Sequence, residues 1–139
     1  MSWGAEDLSA ALGAASKYDE SGELSFTYRM ARSLCLAGAV AAGVQPVDGV
    51  FADFKDDAGL KTEAETARRD GFTGKLAIHP AQVEVINAAF TPSEDEIRHA
   101  AEIVAAFEAQ PDAGVLSVGG KMVDRPHLVQ ARRILERTR

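Results

Sequence analysis

The sequence predicts an α/β protein with a small parallel sheet. Three short apolar segments alternate with helical patterns, and connections of a few residues separate them. This order is typical of right-handed βαβ units, in which helices cover a parallel sheet. Three parallel strands cannot close a barrel, and alone they would leave an edge and an apolar face exposed. We therefore expect the chain to be the later part of a larger fold.

The composition indicates one globular domain. The 139 residues are 46% hydrophobic and 26% charged, which suffices for a real core but not for two ordinary domains. The net charge is −6, and no basic stripe is available to bind nucleic acid. A single cysteine, Cys35, excludes an intramolecular disulfide and fits a reducing compartment. With no membrane span or signal peptide in the pattern, we expect a cytoplasmic protein.

The first predicted strand is the opening MSWGAED, which ends in the neighbouring carboxylates Glu6 and Asp7 and leads into a helical turn. A polar loop, KYDESGELS, follows. The segment FTYRMARSLCLAGAVAAG has apolar residues such as Met30 and Leu34 at helical spacing. This pattern predicts a buried helix, and Gly43 can end it.

The next two predicted strands are VDGVFADF and GKLAIHP. Between them, DDAGLKTEAETARRDG predicts a polar helix with one apolar face, formed by Leu60, Ala64 and Ala67, and with Gly71 behind it. After the third strand, PAQVEVINAAF predicts a helix opened by Pro80.

The remaining chain is predicted to be mainly helical. In TPSEDEIRHAAEIVAAFEAQ, we interpret Thr91 as the N-cap, Pro92 as the first helical residue and Glu94 as the partner in a capping box. An apolar, glycine-rich segment, GVLSVGGKMVD, leads to RPHLVQARRILERTR. This last segment predicts a helix whose basic last turn suits its dipole.

Four segments also carry a family resemblance. They are WGAEDLSAALG, VDGVFADFKDDAGL, GFTGKLAIHPAQVEVINAAFTPSEDEI and GGKMVDRPHL. In order and spacing they resemble the C-terminal half of the citrate lyase β-subunit-like acyl-CoA lyases, which include malyl-CoA and citramalyl-CoA lyases. The resemblance implies a partial (β/α)8 TIM barrel. Residues 1–110 would supply its last three βα units, and residues 111–139 a glycine-containing linker and a C-terminal lid helix.

The resemblance implies a reaction as well. Such enzymes cleave a 3-hydroxyacyl-CoA into an acetyl-CoA-type thioester and a keto acid, or catalyse the reverse condensation. Cleavage puts negative charge on a thioester enolate and forms a new carbonyl. A divalent cation on carboxylate oxygens, normally Mg2+, polarises the hydroxyl, and an acid/base group handles the protons. The implied cofactor is Mg2+, and the implied substrate is a CoA thioester.

Asp7 is the implied metal ligand, because the Asp of GAED is one of two protein ligands in the family pattern. The residues alone leave an alternative open, since Asp is a favoured N-cap and could cap a turn that begins at Leu8. The other motifs favour the metal role, because GAED then stands in its proper context. We interpret Glu6 as a carboxylate that is either exposed to solvent or in contact with the metal ligands but not with the metal.

Asp124, in GKMVDRPHL, is the implied acid/base. In similar enzymes this Asp lies on a lid that reaches the neighbouring subunit's active site, where it acts on the acetyl-CoA methyl group or enolate. Without the resemblance, an Asp two residues before a helix-opening Pro is an ordinary N-cap. One residue can fill both roles, because a capping carboxylate has a second oxygen.

Three residues near the ends of the second and third strands are interpreted as substrate or CoA ligands. Asp53 would shape the pocket, Lys55 would bind a CoA phosphate, and His79 would line the CoA pocket. An equally good interpretation is that His79 braces the helix behind it. Helix capping is favoured for Asp56 and Asp57.

The family pattern also requires an earlier Glu as second metal ligand and an Arg for the substrate carboxylate, on strands that would precede Met1. Two hypotheses follow. The chain is a lyase part that works with an N-terminal barrel half or as a homo-oligomer, or it is a truncated, catalytically silent domain for oligomerisation or binding.

Overall fold

The computed structural model describes residues 1–138, which form two compact units. The first unit, Met1–Phe90, contains four helices and two strands: α1 (Ala5–Leu12), α2 (Phe26–Ala41), β1 (Val47–Asp48), α3 (Asp57–Asp70), β2 (Gly74–Lys75) and α4 (Gln82–Phe90). The second, from Thr91 onward, contains α5 (Glu94–Ala109), β3 (Val115–Val118), β4 (Lys121–Asp124) and α6 (Arg125–Glu136). Within residues 1–138, none of the helices is both long and apolar enough to cross a membrane.

The parallel pairing predicted for the first unit is confirmed for two of the three predicted strands, each of which is only two residues long. β1 and β2 pair in parallel, with Val47 opposite Gly74. The N-terminal segment runs beside β1, since the Met1 ammonium donates to Gln45 O (2.6 Å) and Met1 O accepts from Val47 N–H (2.8 Å). Met1 thus bonds to Gln45 and Val47, which flank the residue opposite it, and this is the hydrogen-bond pattern of a parallel pair.

The sequence predicted that the acidic pair ends a strand, and this prediction is wrong. Glu6 and Asp7 lie in the first turn of α1, where the positive end of the helix dipole favours acidic side chains. The N-cap is Gly4, whose backbone is extended (φ −128°, ψ 113°). The alternative that Asp7 caps a turn beginning at Leu8 is therefore wrong as well.

The prediction that α2 is buried is also wrong. Met30 and Leu34 are 46% and 64% exposed, whereas Tyr28 is 2% exposed. The face with Tyr28 also carries Arg32, whose guanidinium binds a buried carboxylate at the end of β1. Because this ion pair fixes which face turns inward, the apolar stripe with Met30 and Leu34 faces outward.

Helix α3 matches its prediction. Leu60, Ala64 and Ala67 are at most 1% exposed, and Gly71 follows the helix with φ 115°. Gly43, with φ 67°, likewise follows α2 and donates to Val40 O, as a glycine just past a helix commonly does.

The second unit is built on α5 and α6, with a hairpin of β3 and β4 between them in sequence. Residues of all four elements form its core: Ala100, Ile103, Phe107, Val118, Val123, Leu128 and Ala131. Gly119 and Gly120 join the strands with φ of 58° and 77°, as a two-residue type I′ turn requires. The predicted glycine-containing linker is thus largely a hairpin, and the two compact units meet in sequence after Phe90, because α5 packs on α6.

Helix α5 begins two residues later than predicted. Ser93 is the N-cap: its Oγ accepts from Glu96 N–H (3.2 Å), and its own N–H donates to Glu96 Oε2 (2.8 Å). Thr91 with Glu94 and Ser93 with Glu96 both have capping-box spacing, so the sequence allowed either register.

We expect Ser93→Ala to lower the free energy of unfolding by about 1 kcal/mol, because a helix start loses its cap. Denaturant unfolding followed by circular dichroism measures this change. Ser93→Asn should retain most of the stability, since Asn is an equally good cap. A wild-type midpoint for Ser93→Ala would contradict the observed register.

Candidate active site

A buried carboxylate, Asp48, lies at the end of β1 and is 1% exposed. Its Oδ1 accepts from Trp3 Nε1 and from Arg32 Nε, both at 2.9 Å. Its Oδ2 accepts from Arg32 Nη2 (3.2 Å) and from Lys75 Nζ (3.4 Å). Arg32 also reaches Asp70 on α3, with Nη1 2.6 Å from Oδ2. One carboxylate therefore joins β1 to the N-terminal segment, α2 and β2.

Lys75 completes this network. Its side chain is fully buried, and its ammonium donates to Gly49 O (2.9 Å) and pairs with Asp48 and Glu63. A buried ammonium is tolerated only when it is paired and hydrogen-bonded, and here all its donors have acceptors. The ends of the two parallel strands are thereby fixed to each other.

The network keeps Asp48 ionised. Burial alone would raise the pKa of Asp48, but the hydrogen bond from Arg32, the charge of Lys75 and the hydrogen bond from Trp3 outweigh it and hold the pKa below its ordinary value. A carboxylate whose lone pairs are already taken is suited to holding structure together, not to proton transfer. Asp48 was not among the predicted site residues, although it is an acid at a strand end.

Gln82 holds the two loops that follow the strands. It is 1% exposed, its Oε1 accepts from Ile78 N–H (2.9 Å), and its Nε2 donates to Phe51 O (2.9 Å). Regular pairing of β1 with β2 ends here because the two loops bond to this side chain instead of to each other. Gln82 was not predicted either, because nothing in an amphipathic helix pattern distinguishes it from other polar residues.

The loops bring three predicted site residues together around Phe54. The Phe54 and His79 rings stack at 4.8 Å with an interplanar angle of 19°. Lys55 Nζ lies 6.0 Å from the centre of the Phe54 ring, and Asp53 Oδ1 accepts from Lys55 N–H (3.0 Å). All four side chains are exposed. They form an accessible aromatic surface with a cation beside it, which suits a flat or phosphate-bearing ligand.

His79 also braces the turn before α4, the alternative that the sequence left open. Its Nδ1 accepts from Ala81 N–H (3.2 Å), which places the ring proton on Nε2. This hydrogen bond does not disturb the stacking of the His79 ring on Phe54. The predicted capping role of Asp56 is confirmed, since its Oδ1 accepts from Gly59 N–H at 2.9 Å.

Asp7 and Glu6 differ in their partners. Glu6 pairs with Lys17, whereas Asp7 is exposed, and within residues 1–138 no hydrogen bond or ion pair engages its carboxylate. Asp7 folds back over Gly4, so that a Cβ built at Gly4 would lie 2.5 Å from Asp7 Oδ2. A side chain at position 4 would therefore push the exposed Asp7 carboxylate aside.

Asp124 is the N-cap of α6, as one of its two interpretations held. Its Oδ1 lies 2.5 Å from His127 Nδ1 and accepts from His127 N–H at 3.5 Å. The Asp124 backbone nitrogen also lies 3.2 Å from His127 Nδ1, so the two residues form a capping box at the start of α6. The contact with the His127 side chain holds the pKa of Asp124 below its ordinary value. Both contacts of the carboxylate use Oδ1, which leaves Oδ2 available.

No complete metal centre forms among these side chains. Within residues 1–138, the structure contains no group of three or more His, Cys, Asp or Glu side chains that could hold a metal ion. Asp7, Asp53, Lys55 and His79 all belong to the first unit, and Asp124 belongs to the second. Asp7 can therefore contribute one ligand, and the rest must come from water, substrate or other protein residues.

Comparison with known proteins identifies the family. A family profile for C–C bond lyases of the TIM-barrel fold matches residues 24–139. The chain belongs to this family.

Several curated relatives are similar over nearly the whole chain. A (3S)-malyl-CoA thioesterase of Cereibacter sphaeroides (strain ATCC 17029 / ATH 2.4.9) is 42% identical over 137 residues, which cover 97% of this chain and 46% of that protein. The mitochondrial citramalyl-CoA lyase of Rattus norvegicus is 39% identical, covering 96% of this chain and 38% of that enzyme. The chain thus spans less than half the length of these relatives.

Solved structures give the same result. The CitE protein of Mycobacterium tuberculosis, in complex with magnesium, acetoacetate and coenzyme A, matches with a TM-score of 0.84 and 37% identity over 99% of this chain and 51% of that chain. A citrate lyase of Burkholderia xenovorans LB400 matches with a TM-score of 0.81 and 28% identity, covering 99% of this chain and 44% of that one.

We expect the stability of the first unit to fall as the pH drops through the acidic range. The folded-state pKa of Asp48 is depressed, so its contribution is present above the unfolded-state value of about 3.9 and is lost as the pH falls below it. Asp48→Asn should weaken this dependence and cost about 3 kcal/mol at pH 7, because Arg32 and Lys75 lose their charged partner.

Urea unfolding between pH 3 and pH 7 measures both effects. Asp53→Asn is the matched control, since this exposed carboxylate lies on the next loop and its loss should cost less than about 0.5 kcal/mol at pH 7. Equal stability of wild type and Asp48→Asn at pH 7 would contradict the role of the network.

Proposed function

We propose that the chain forms part of an Mg2+-dependent acyl-CoA lyase that cleaves or forms the C–C bond of a citryl-, malyl- or citramalyl-type thioester. The observation that carries this proposal is the exposed cluster of Asp53, Phe54, Lys55 and His79 at the ends of the parallel strands. The likeness to the CitE protein, solved with magnesium, acetoacetate and coenzyme A, supports it.

Asp7 fits the role of a magnesium ligand in this proposal. Its carboxylate is an exposed hard oxygen donor that folds over a glycine and has no partner within residues 1–138. Mg2+ is usually held by one or two carboxylates together with water and substrate oxygens, so a single ligand from this chain suffices. When bound there, the ion polarises the oxygen that becomes the keto acid's carbonyl.

The loop cluster would bind the CoA moiety. The Lys55 ammonium can pair with a phosphate, and the stacked rings of Phe54 and His79 offer a flat apolar surface. Asp53 fixes the loop by accepting from the backbone of Lys55. These residues orient the thioester and take no proton from it.

Asp124 would handle the proton. Its depressed pKa keeps it a carboxylate at neutral pH, the form that removes a proton from the thioester's methyl group in condensation. In cleavage, this carboxylate would first take up the proton that the substrate hydroxyl loses and then give it to the enolate carbon. Oδ1 is held by His127, so Oδ2 is the oxygen that reaches the substrate.

Another protein surface would complete the site. The outward stripe of α2 includes Phe26 and Leu34, which are 70% and 64% exposed. Because relatives are about twice as long as this chain, the N-terminal barrel half or a second copy would cover such surface. Residues 1–110 and 111–139 would then serve as barrel part and lid, in a cytoplasmic homo-oligomer.

Thioester hydrolysis is the second candidate, because one relative is named a malyl-CoA thioesterase and is 42% identical. A lyase releases a keto acid and retains the thioester, whereas a thioesterase releases free CoA thiol. A silent domain releases neither.

We expect a keto acid and an acyl-CoA from malyl-CoA, citramalyl-CoA or citryl-CoA when Mg2+ is present and the chain is combined with the N-terminal half of a relative. Keto acid and free thiol are measured separately, with the chain alone and with that half alone as controls. Free thiol without keto acid would favour the thioesterase. No product from any thioester would favour the silent domain.

In the same active complex, we expect Asp124→Asn to lower the rate of C–C cleavage by about 100-fold or more, the loss typical of removing a positioned acid/base. Folding should be nearly unchanged, because Asn caps a helix about as well as Asp. Circular dichroism and the turnover rate measure the two effects. Full turnover of Asp124→Asn would leave only the capping role.

A further inference from the structure

We propose that Asp48 positions the metal ligand Asp7, acting through Trp3. The inference rests on the proposed function, since it takes Asp7 as a ligand of a hard divalent cation. Asp48 itself touches neither metal nor substrate in this proposal. It is a positioning residue, and its effect passes along residues 3–7 at the start of the chain.

Trp3 is held by a hydrogen bond from its side chain and by close packing of its backbone against Gly49. Its indole N–H donates to Asp48 Oδ1 at 2.9 Å. A Cβ built at Gly49 would lie 3.2 Å from Trp3 O and 3.4 Å from Trp3 Nε1, so the absence of a side chain at Gly49 lets Trp3 lie against β1. Trp3 is thus fixed at the end of the strand that carries Asp48.

Trp3 in turn fixes the start of α1. The next residue, Gly4, is the N-cap, and its carbonyl accepts the first helical hydrogen bond from Leu8 N–H (3.0 Å). Asp7 folds over this same glycine, with Oδ2 2.5 Å from the position of a Cβ. The position of Trp3 therefore sets where α1 begins, and with it the place of the first turn that carries Asp7.

The anchor is rigid because Asp48 cannot move independently. Any displacement would take Asp48 away from the guanidinium of Arg32 and the fully buried ammonium of Lys75. Breaking a buried charge pair is strongly unfavourable. Residues hydrogen-bonded to a metal ligand typically change metal affinity by about 10- to 100-fold when they are replaced, and for an anchor one step further away we expect the lower end of this range.

The test uses Mn2+ alone, which shares the preference of Mg2+ for carboxylate and water oxygens. Titration of the 15N-labelled chain is followed by paramagnetic broadening of the amide signals of residues 4–8, which is sensitive to weak binding. Asp7→Asn should abolish the broadening. Trp3→Phe keeps an aromatic ring but loses the N–H donor, and should need about 10-fold more Mn2+ for the same broadening. Asp48→Asn should behave like Trp3→Phe.

The outcomes separate this inference from the proposed function. Glu6→Gln is the matched control, since Glu6 is the neighbouring acid and pairs with Lys17, and its titration should equal that of the wild type. If Asp7→Asn broadens like the wild type, the metal ligand assigned under the proposed function is wrong. If Asp7→Asn abolishes broadening while Trp3→Phe titrates like the wild type, the positioning role is overturned and the ligand stands. The Trp3→Phe titration tests the positioning role even if Asp48→Asn fails to fold.

Discussion

The first unit depends on the satisfaction of one buried carboxylate. Asp48 sits at the end of β1 and accepts four hydrogen bonds from three side chains on three other parts of the chain. An ionised group removed from water is stable only when its partners and geometry are complete. The N-terminal segment, α2 and β2 must therefore all stand in their observed positions at once, which makes the carboxylate a source of specificity for this unit.

The arrangement of the surrounding elements follows from that requirement. Arg32 reaches Asp48 only if its face of α2 turns inward, and this orientation places Met30 and Leu34 outside. Lys75 reaches Asp48 only in the observed parallel register, in which the two residues are opposite each other. Beyond this pair, Gln82 takes the backbone groups of both loops, and so the cluster around Phe54 rests on fixed supports.

Local patterns in the sequence predicted the local structure well. The apolar face of α3 and the caps at Asp56 and Asp124 depend on residues within a turn or two of each other, and all were predicted from spacing. The Asp48 network was missed because its partners lie 16 to 45 residues away, a separation over which spacing carries no information. The hairpin was missed because Gly119 and Gly120 were assigned to a glycine-containing linker, although two adjacent glycines also suit a type I′ turn. In the site, the strand ends predicted that Asp53, Lys55 and His79 meet, but the chemistry came from the family resemblance.

Three aspartates show how partners, not residue type, decide what a carboxylate can do. Asp48 has both oxygens taken by cations and an indole, and it can only hold structure together. Asp124 has one oxygen taken by His127, which keeps it ionised while the other oxygen remains available for a proton. Asp7 has no ion pair within residues 1–138 and lies over a glycine, so both of its oxygens are open to a cation. The proposed roles of the three carboxylates, in structure, proton transfer and metal binding, therefore follow from the number of oxygens that the fold leaves without a partner.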